Sequence, residues 1–487
     1  MIRRILVANR GEIAVRIARA CREMSIESVL AFSERDDPRY VRRFFDHAVP
    51  ISGYLDVNAV IDAAKKSGAD AIHPGYGFLS ERAELAAACE GAGITFIGPK
   101  SKSIAAMGSK AESRRLMTSI GVPVVPGYDG EDQNDATLIA EAKKIGYPLL
   151  VKASAGGGGK GMKIVRSDAE LQPMIDSARR EAAKAFGNDR LLLERYIEEP
   201  RHVEVQVLGD GRGQIVHLFE RDCSLQRRHQ KVVEESPAPN YSDDLRARMT
   251  KGAIAAARGV DYENAGTVEF IVTPKGEFYF LEMNTRLQVE HPVTELVTGV
   301  DLVRAQIEVA SGQPLPWTHD SLRQRGHAIE VRVYAEDPED RFLPQSGRIA
   351  LYREPSGPGV RVDSGVMEGT EIGVNFDPML SKLICFAETR DDAIDRIDAA
   401  LRHYIVLGLK TNVSWLRRVV THPEFRAGHV STRFLADHEE QLRAESSEVV
   451  PLIAAALASS PHKSAKTSAV DRESITSVWD ALGPWGR

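Results

Sequence analysis

The order of strand and helix signals along the chain constrains its fold more than any other feature. In the first hundred residues, short apolar runs typical of strands (4–8, 28–33 and 70–73) alternate with amphipathic helical patterns (12–22 and 81–91). Strands that alternate with helices predict a parallel α/β unit. The unit looks like half of a dinucleotide-binding fold. However, no GxGxxG motif follows its first strand, which disfavours a nicotinamide cofactor.

A second pattern begins near residue 121. Predicted strands at 148–153 and 162–165 flank a glycine cluster, and a helical pattern follows at 168–185. Segments rich in glycine and proline border this region at 121–127 and 198–200, where they interrupt regular structure. We expect a small α+β lobe that is hinged at these two segments.

Long antiparallel strand signals follow the lobe, at 202–208, 214–220, 266–273 and 277–283. After them we expect a further α/β portion, and then an Ala- and Ser-rich helix that leads into a tail or linker. The predicted domains are an N-terminal domain at 1–110, a second domain at 111–312 with its lobe at about 124–197, a C-terminal domain at 327–435 and a tail at 446–487.

Composition and charge exclude several classes of protein. A chain of 487 residues is too long for one core, and 43% hydrophobic with 27% charged residues is typical of a globular protein. The net charge of −6 argues against a nucleic-acid partner, and no apolar run is long enough to span a membrane. The four cysteines form no CxxC pair, and residues 9–12 break the N-terminal apolar run. We therefore predict reduced thiols, no targeting segment and a cytoplasmic location.

A glycine cluster between two predicted strands, at 155–161, is a candidate phosphate-binding element. Consecutive glycines let several backbone N–H groups point at one anion, and Lys152 and Lys160 add positive charge. The cluster is not a Walker A loop, because no Ser or Thr follows the lysine and no helix begins there. We interpret it as a flap that closes over phosphates and excludes water. A surface loop without a ligand is the alternative.

The segment 266–290 carries the most specific chemistry of the chain. Two strand-forming runs flank a turn sequence, which predicts a hairpin. If Lys275 and Gly276 face each other at the turn, Glu269 lies directly opposite Glu282. Like charges in this position repel each other. A divalent cation between them would explain the pair, and oxygen ligands suit Mg²⁺.

The second strand of this hairpin carries a row of functional side chains. Alternation places Glu282, Asn284 and Arg286 on one face, which combines two possible metal ligands with a cation. Glu290 follows shortly afterwards as a carboxylate that can act as a general base near Arg286. The alternative is a solvated hairpin face with alternating charge.

A basic stretch within 220–239 offers a second anion site. His229 and Lys231 lie beside an apolar pair and can hold ATP phosphates or a small anion. A solvated basic face that pairs with the two glutamates downstream explains the stretch equally well. Isolated histidines such as His202 are more often structural than catalytic.

Together, these residues closely resemble the biotin carboxylase family over about residues 1–440. The matching runs are ANRGEIAVRI, AIHPGYGFLSE, KASAGGGGKGM, ERDCSLQRRHQKVVEESPAP, EMNTRLQVEHPVTE and FDPMLSKLI. The resemblance implies an α/β and α+β fold, namely an ATP-grasp enzyme with an N-terminal Rossmann-like (pre-ATP-grasp) domain, a mobile glycine-rich lid and a C-terminal biotin carboxylase domain. The family's attachment motif, Ala-Met-Lys-Met, does not occur in this sequence, so biotin is expected on a separate domain or protein.

The resemblance also implies roles for individual residues. The family's ATP-contacting positions correspond to Lys110, Lys152, Gly158, Gly159, His202, Gln226, His229, Glu269 and Glu282, with Glu194, Arg195, Tyr196 and Ile197 at the adenine. The metal ligands correspond to Glu269, Glu282 and Asn284. The bicarbonate site corresponds to Lys231, Arg286, Gln288 and Val289, and the biotin site to Tyr76 and Arg332. The implied catalytic residues are Lys231, Arg286, Glu290 and Arg332.

The implied enzyme is an ATP-dependent ligase that uses ATP, Mg²⁺ (or Mn²⁺), bicarbonate and carrier-bound biotin. Glu290 deprotonates bicarbonate, which attacks the γ-phosphate to give carboxyphosphate and ADP. Carboxyphosphate then yields CO₂ and phosphate, the phosphate takes the biotin N1 proton, and Arg332 stabilises the resulting enolate. The implied partners are a biotin carboxyl carrier and a carboxyltransferase, in a homodimer or a larger complex such as an acetyl-CoA or other acyl-CoA carboxylase. Departures from the family at Ala155, Lys160 and Arg195 concern ATP affinity more than activity.

Two other functions compete with this interpretation. A different ATP-grasp ligase would join a carboxylate to an amine, but Arg286, Glu290 and Arg332 match a bicarbonate and biotin site. A catalytically silent assembly component would be expected to have lost a residue such as Lys231 or Glu269, and this chain keeps both. The acyl or keto acceptor is set by the transferase and cannot be read from this sequence.

Overall fold

The computed structural model describes residues 2–154, 162–228 and 230–444. Within these ranges, four residues are described by their backbone alone: Lys110, Ala111, Ala185 and Phe186. The predicted phosphate flap with Gly158 and Gly159, the predicted ATP contact His229 and the predicted tail lie outside the described residues.

A parallel sheet forms the N-terminal part of the chain. Its strands are β1 (Arg4–Val7), β2 (Glu27–Ser33), β3 (His47–Ile51), β4 (Ala71–His73) and β5 (Thr95–Phe96). Its helices are α1 (Gly11–Glu23), α2 (Val57–Ser67), α3 (Ala83–Ala92) and α4 (Ser101–Gly108), with a 3₁₀ turn at Val41–Phe44. The strand order is β3-β2-β1-β4-β5, and every pairing is parallel. The predicted parallel α/β unit is confirmed, and β3, β5, α2 and α4 add to it.

A small antiparallel lobe comes after α5 (Lys110–Ser119). It consists of β6 (Gly127–Tyr128), α6 (Asp135–Ile145), β7 (Leu149–Ala153), β8 (Lys163–Val165), α7 (Asp168–Phe186) and β9 (Leu191–Arg195). The strand order is β6-β9-β7-β8, and both helices pack apolar side chains on the sheet. Helix α7 ends at Gly187, whose φ of 67° suits glycine. The predicted α+β lobe is confirmed.

The remaining elements begin at residue 201. The strands are β10 (Arg201–Asp210), β11 (Ile215–Arg227), β12 (Gln230–Ser236), β13 (Glu263–Val272), β14 (Phe278–Asn284), β15 (His327–Tyr334), β16 (Glu336–Asp337), β17 (Leu343–Pro344), β18 (Gly347–Arg348), β19 (Leu351–Arg353), β20 (Val360–Ser364), β21 (Glu371–Ile372), β22 (Met379–Ala387) and β23 (Ile405–Leu407). The helices are α8 (Asp243–Gly259), α9 (His291–Thr298), α10 (Leu302–Ala310), α11 (Arg390–Arg402), α12 (Val413–Val420), α13 (Pro423–Arg426) and α14 (Phe434–Asp437). A further 3₁₀ turn spans Pro338–Asp340.

An eight-stranded antiparallel sheet, the central sheet, combines strands from both sides of the predicted boundary at 312–327. Its order is β14-β13-β10-β11-β12-β15-β22-β20. Strand β12, which sequence analysis did not predict, pairs directly with β15 and thereby joins the second predicted domain to the C-terminal one. The domain boundaries themselves remain a prediction. The consequence for function is that side chains on β10 to β15 share one rigid framework.

The hairpin within 266–290 has the predicted pairing but a different turn. Glu269 lies opposite Glu282, which confirms that part of the prediction. Closer to the turn the register differs by one residue, because the turn is centred on Lys275 alone. Leu281 is the extra residue on β14, and the resulting bulge restores the pairing of the two glutamates.

Phe425→Ala is expected to destabilise the protein strongly. Phe425 is buried in the C-terminal core, and the Arg390 guanidinium lies 4.9 Å from the centre of its ring. Removing a buried aromatic ring leaves a cavity and costs about 3–5 kcal/mol. Thermal unfolding followed by circular dichroism should give a clearly lower midpoint for Phe425→Ala and a smaller shift for Phe425→Leu. Equal midpoints for Phe425→Ala and the parent would contradict this packing.

Candidate active site

Four charged residues lie side by side across four neighbouring strands of the central sheet. We call them the charged row: Arg221 on β11, Glu204 on β10, Glu269 on β13 and Glu282 on β14. Arg221, Glu204 and Glu269 are buried. Three adjacent carboxylates in a buried sheet are stable only if cations compensate them.

Arg221 provides the first compensating charge. Its fully buried side chain donates five hydrogen bonds of 2.6–3.3 Å, one for each N–H group, to Glu204, Gln206, Thr267, Gln288 and Thr294. Burial alone would lower the pKa of Arg221, but Glu204 and Glu290 outweigh it and raise the pKa. The guanidinium is therefore a permanently charged support beneath the row.

Lys231 on β12 provides the second compensating charge. Its ammonium lies 2.6 Å from Glu204 Oε2, 2.8 Å from Glu269 Oε1 and 2.7 Å from Glu290 Oε1. Burial opposes the charge, but these three carboxylates raise the pKa of Lys231 well above its usual range. The competing interpretation, a solvated basic face, does not apply to Lys231, because only 13% of its side chain is exposed.

Glu290 lies between two cations. Its carboxylate accepts hydrogen bonds from Lys231 at 2.7 Å and from Arg332 Nη2 at 2.9 Å. Burial would raise the pKa of Glu290, but Lys231, Arg332 and Arg221 hold it well below its usual range. Glu290 is therefore ionised at neutral pH, as a proton acceptor requires. Its basicity stays low for as long as both cations remain bound to it.

The segment from Asn284 to Glu290 carries three of the four predicted bicarbonate residues, Arg286, Gln288 and Val289, around this cluster. Gln288 Nε2 donates to Glu269 Oε1 at 2.8 Å, the oxygen that Lys231 also contacts. The Val289 carbonyl accepts a 2.6 Å hydrogen bond from Lys382. The structure thus brings Lys231 and Gln288 together at one carboxylate and fixes the backbone at Val289.

Arg286 faces a different set of partners. Its Nε lies 2.9 Å from a carboxylate oxygen of Glu81, and its Nη2 donates to Asn284 Oδ1 at 2.7 Å. The backbone N–H of Thr285 donates to the other Glu81 oxygen at 3.2 Å. Although burial lowers the pKa of Arg286, Glu81 and Glu290 raise it above its usual value. Glu81, on the loop between β4 and α3, therefore orients this arginine.

The predicted metal ligands have suitable chemistry for a hard cation. Glu269 and Glu282 lie opposite each other, and Asn284 lies on the same strand as Glu282 with its Oδ1 accepting a hydrogen bond from Arg286. His202, Glu204 and Glu269 also bring ligand atoms within 4.8 Å of one another. In this structure, Glu269 accepts hydrogen bonds from Lys231 and Gln288 and lies 2.7 Å from His202 Nε2. Two carboxylates and a carboxamide oxygen fit Mg²⁺, provided that these partners release Glu269 and that Arg286 releases Asn284 Oδ1.

The predicted ATP residues form two groups. On the lobe, the Lys152 ammonium pairs with Glu194, which also lies 3.2 Å from Arg114, while Arg195 is exposed and both Tyr196 and Ile197 are half-buried. On the central sheet, Gln226 Nε2 lies 2.7 Å from His202 Nδ1, which connects both residues to the charged row. The Lys110 backbone begins α5, and its side chain is not described.

The predicted biotin residues lie at the end of the cluster nearest to the N-terminal sheet. Arg332 Nε donates to Glu234 Oε1 at 2.6 Å, while its Nη2 contacts Glu290. The Tyr76 hydroxyl donates to Glu12 on α1. Burial first, and then Glu12, raise the pKa of Tyr76 well above its usual range, so this hydroxyl keeps its proton.

Sequence reasoning missed several residues that hold the site together: Glu12, Glu81, Glu204, Arg221, Glu234 and Lys382. The sequence did show a regular pattern around Glu204, because Glu204 and Gln206 alternate with valines in β10. That alternation is typical of a strand with one solvated face, whereas both faces of β10 are buried here. Buried polar residues in a strand indicate a site rather than a surface.

Three family descriptions match the chain in sequence. Residues 1–104 match the N-terminal domain of biotin carboxylase, and residues 330–437 match its C-terminal domain. Residues 109–318 match the ATP-binding domain of the carbamoyl-phosphate synthase L chain.

Individual proteins show the same similarity. The α subunit of mitochondrial methylcrotonoyl-CoA carboxylase from Dictyostelium discoideum is 47% identical over 99% of this chain and 70% of its own length. A pyruvate carboxylase subunit from Methanothermobacter thermautotrophicus is 48% identical, over 92% of this chain and 93% of its own length.

A solved structure agrees in both sequence and fold. The biotin carboxylase domain dimer of Hydrogenobacter thermophilus 2-oxoglutarate carboxylase, in complex with MgADP, ADP and bicarbonate, is 45% identical. It superposes with a TM-score of 0.86 over 92% of this chain and 100% of that one. The chain therefore belongs to the biotin carboxylase family, with an ATP-grasp fold.

Proposed function

We propose that this chain catalyses the ATP-dependent carboxylation of biotin with bicarbonate, on biotin that a separate carrier delivers. The observation that carries the proposal is the position of Glu290 between Lys231 and Arg332. A base and two cations in mutual contact form a closed ion cluster that an incoming anion can rearrange. In that arrangement, the cations turn toward the substrate and the carboxylate is left to accept its proton.

The roles of the residues follow from this rearrangement. When Lys231 engages the transferred phosphoryl group and bicarbonate, Glu290 loses its hydrogen bond and becomes a stronger base. Arg286 and Gln288 orient the bicarbonate oxygens, and Arg332 is then available for the ureido oxygen of biotin. Arg221 has all of its donors occupied, so it keeps the sheet and Gln288 in place during these changes.

Two of the predicted ATP-binding residues also contact carboxylates that a substrate oxygen can replace. Lys152 and His202 contact carboxylates in this structure and are suited to bind phosphate oxygens when ATP arrives. Glu269, Glu282 and Asn284 are the residues that would hold Mg²⁺, which would neutralise charge on the ATP phosphates.

The relatives described above do not share one final acceptor. The three relatives described above are named for three acceptors (methylcrotonoyl-CoA, pyruvate and 2-oxoglutarate), and their identities with this chain differ by only a few per cent. We propose a biotin carrier and a carboxyltransferase as partners, and a dimer of this chain as the assembly unit. An acyl-CoA acceptor and a cytoplasmic location remain predictions. No helix in the described parts of the chain has the length and apolar character needed to span a membrane.

Phosphate release from ATP tests the proposed reaction. We expect slow release with bicarbonate alone and a clear stimulation, on the order of tenfold or more, when free biotin is added. Omission of bicarbonate should abolish the stimulation. If biotin has no effect while another amine or carboxylate drives turnover, the chain is a different ATP-grasp ligase.

Arg286→Ala should lower biotin carboxylation by about 10²–10³-fold, because a fixed cation at the bicarbonate site is lost. ATP binding, measured by calorimetry or fluorescence, should change little. Arg286→Lys is the matched control, since it keeps the charge but not the fork that reaches both Glu81 and Asn284, and it should recover only part of the rate. Parental carboxylation rates in Arg286→Ala would remove Arg286 from the mechanism.

A further inference from the structure

Outside the charged row, a further pair of glutamates lies directly opposite each other in the central sheet. Glu330 on β15 faces Glu234 on β12 in the strand register, and both side chains are fully buried. Glu234 Oε1 accepts two contacts from Arg332, from Nε at 2.6 Å and from Nη2 at 2.5 Å. Neither carboxyl oxygen of Glu330 has a hydrogen-bond partner among the described residues. Within that part of the chain, Glu330 is thus a buried acidic group without a direct counterion.

Charged and titratable groups from each neighbouring element act on Glu330. They are Glu234 on β12, Arg332 on its own strand, Lys382 on β22, Glu290 before α9 and Tyr76 on the loop after β4. Both cations have other partners. Arg332 binds Glu234 and Glu290, while Lys382 bonds to the Val289 carbonyl and lies 3.3 Å from Glu12. Behind Lys382, Asp363 lies at 3.9 Å, and the buried His291 on α9 faces the same ammonium.

Two ionised carboxylates in directly opposed positions repel each other strongly when no water screens them. The Arg332 guanidinium contacts Glu234 of this pair and forms no hydrogen bond with Glu330. A proton on Glu330 removes the repulsion and leaves the contacts of Glu234 unchanged. We propose that Glu330 is a neutral carboxylic acid in the resting enzyme, and that it is a positioning residue which keeps Arg332 directed at Glu234 and Glu290.

The direction of the titration supports this assignment. Burial raises the pKa of Glu330 well above its usual range, and the facing Glu234 raises it further against the opposing effect of Lys382. Burial likewise raises the pKa of Glu234, to about 7, although Arg332 opposes the shift. The two carboxyls thus behave as a coupled pair that holds a proton at neutral pH.

The protonation state of Glu330 affects the direction in which Arg332 points, and its effect on turnover rests on the role proposed for Arg332 at the biotin end of the site. If Glu330 were ionised, it would offer Arg332 a competing carboxylate two residues away on the same face of β15. Arg332 would then be drawn toward Glu330 and away from Glu290 and an incoming ureido oxygen. Loss of the Glu330 proton should therefore lower biotin-dependent turnover at alkaline pH.

The first experiment compares thermal unfolding of the parent and Glu330→Gln as a function of pH. Above about pH 4.3 the unfolded chain gives up the Glu330 proton, whereas the folded protein keeps it, so this group destabilises the parent as pH rises. Glutamine does not titrate, so the stability of Glu330→Gln has no such dependence on pH at this position. We expect the midpoint of Glu330→Gln minus that of the parent to increase from about pH 6 to about pH 9, on the order of 1–2 °C per pH unit.

Glu235→Gln is the matched control on the opposite face of β12. His327 and Arg390 overcome the effect of burial and lower the pKa of Glu235 to about 2, so it is ionised in the folded and the unfolded protein throughout this pH range. Its replacement should lower the midpoint by a nearly constant amount. Glu330→Met provides a second variant at the tested site. A neutral, unpaired acid tolerates an apolar replacement, so this variant should fold and show the same pH trend.

The second experiment measures biotin-dependent phosphate release from about pH 6 to beyond the pH at which the midpoint difference stops increasing, because that is where the folded parent loses its Glu330 proton. The ratio of the Glu330→Gln rate to the parent rate should rise with pH, approaching about tenfold per pH unit once the parent has lost its proton. Absence of any biotin stimulation in the parent would refute the proposed function. The unfolding experiment would still test whether Glu330 is protonated beside Glu234.

Three outcomes overturn the inference. One is a midpoint difference between Glu330→Gln and the parent that does not change with pH, as expected for Glu235→Gln. Another is failure of both Glu330→Gln and Glu330→Met to fold, which would mean that an ionised carboxylate is required. The third is a ratio of rates that stays constant even above the pH at which the midpoint difference stops increasing, which would leave Glu330 as a packing residue with no influence on Arg332.

Discussion

The contact of one ammonium with three buried carboxylates is the interaction on which the site depends. Lys231 holds Glu204, Glu269 and Glu290 within 2.8 Å of its nitrogen. Removal of the cation from such a cluster leaves uncompensated buried charge, at a cost of about 3–5 kcal/mol. The same cluster explains how a site rich in carboxylates can accept anionic substrates. Its cations are already present and can exchange a carboxylate for a phosphate or bicarbonate oxygen, while Arg221 preserves the framework.

The site also depends on contacts that converge from regions far apart in sequence. Glu81, on an N-terminal loop, sets the orientation of Arg286, and Lys382, on β22, holds both the Val289 carbonyl and Glu12. Because β12 and β15 are direct neighbours, these contacts act on a single sheet and not across a flexible joint. The residues predicted to bind bicarbonate and biotin are therefore fixed relative to each other by this framework.

Local sequence patterns predicted the parallel unit, the lobe and the pairing of Glu269 with Glu282, since periodicity and turn residues act over short distances. The bulge at Leu281 could not be predicted, because it depends on the exact centre of the turn. Glu204 gave the signal of a solvated strand face, but Thr294 on helix α9 and Gln288 before it cover the neighbouring Arg221 and help to make that face an interior. Burial by an element distant in sequence leaves no trace in the local pattern.

Two of the opposed glutamate pairs of the central sheet, Glu269 with Glu282 and Glu234 with Glu330, illustrate two solutions to one electrostatic problem. At Glu269 and Glu282, the position lies beside the phosphate-binding residues and Glu282 is only half-buried, so a metal ion that arrives with its ligand can neutralise the pair. At Glu234 and Glu330, both side chains are fully buried, which closes the position to ion exchange with solvent. A proton is the smallest compensating charge, and it needs no coordination shell. On the roles proposed here for the two pairs, the depth of each pair in the sheet thus decides whether it serves as a metal site or as a fixed, neutral support for the neighbouring arginine.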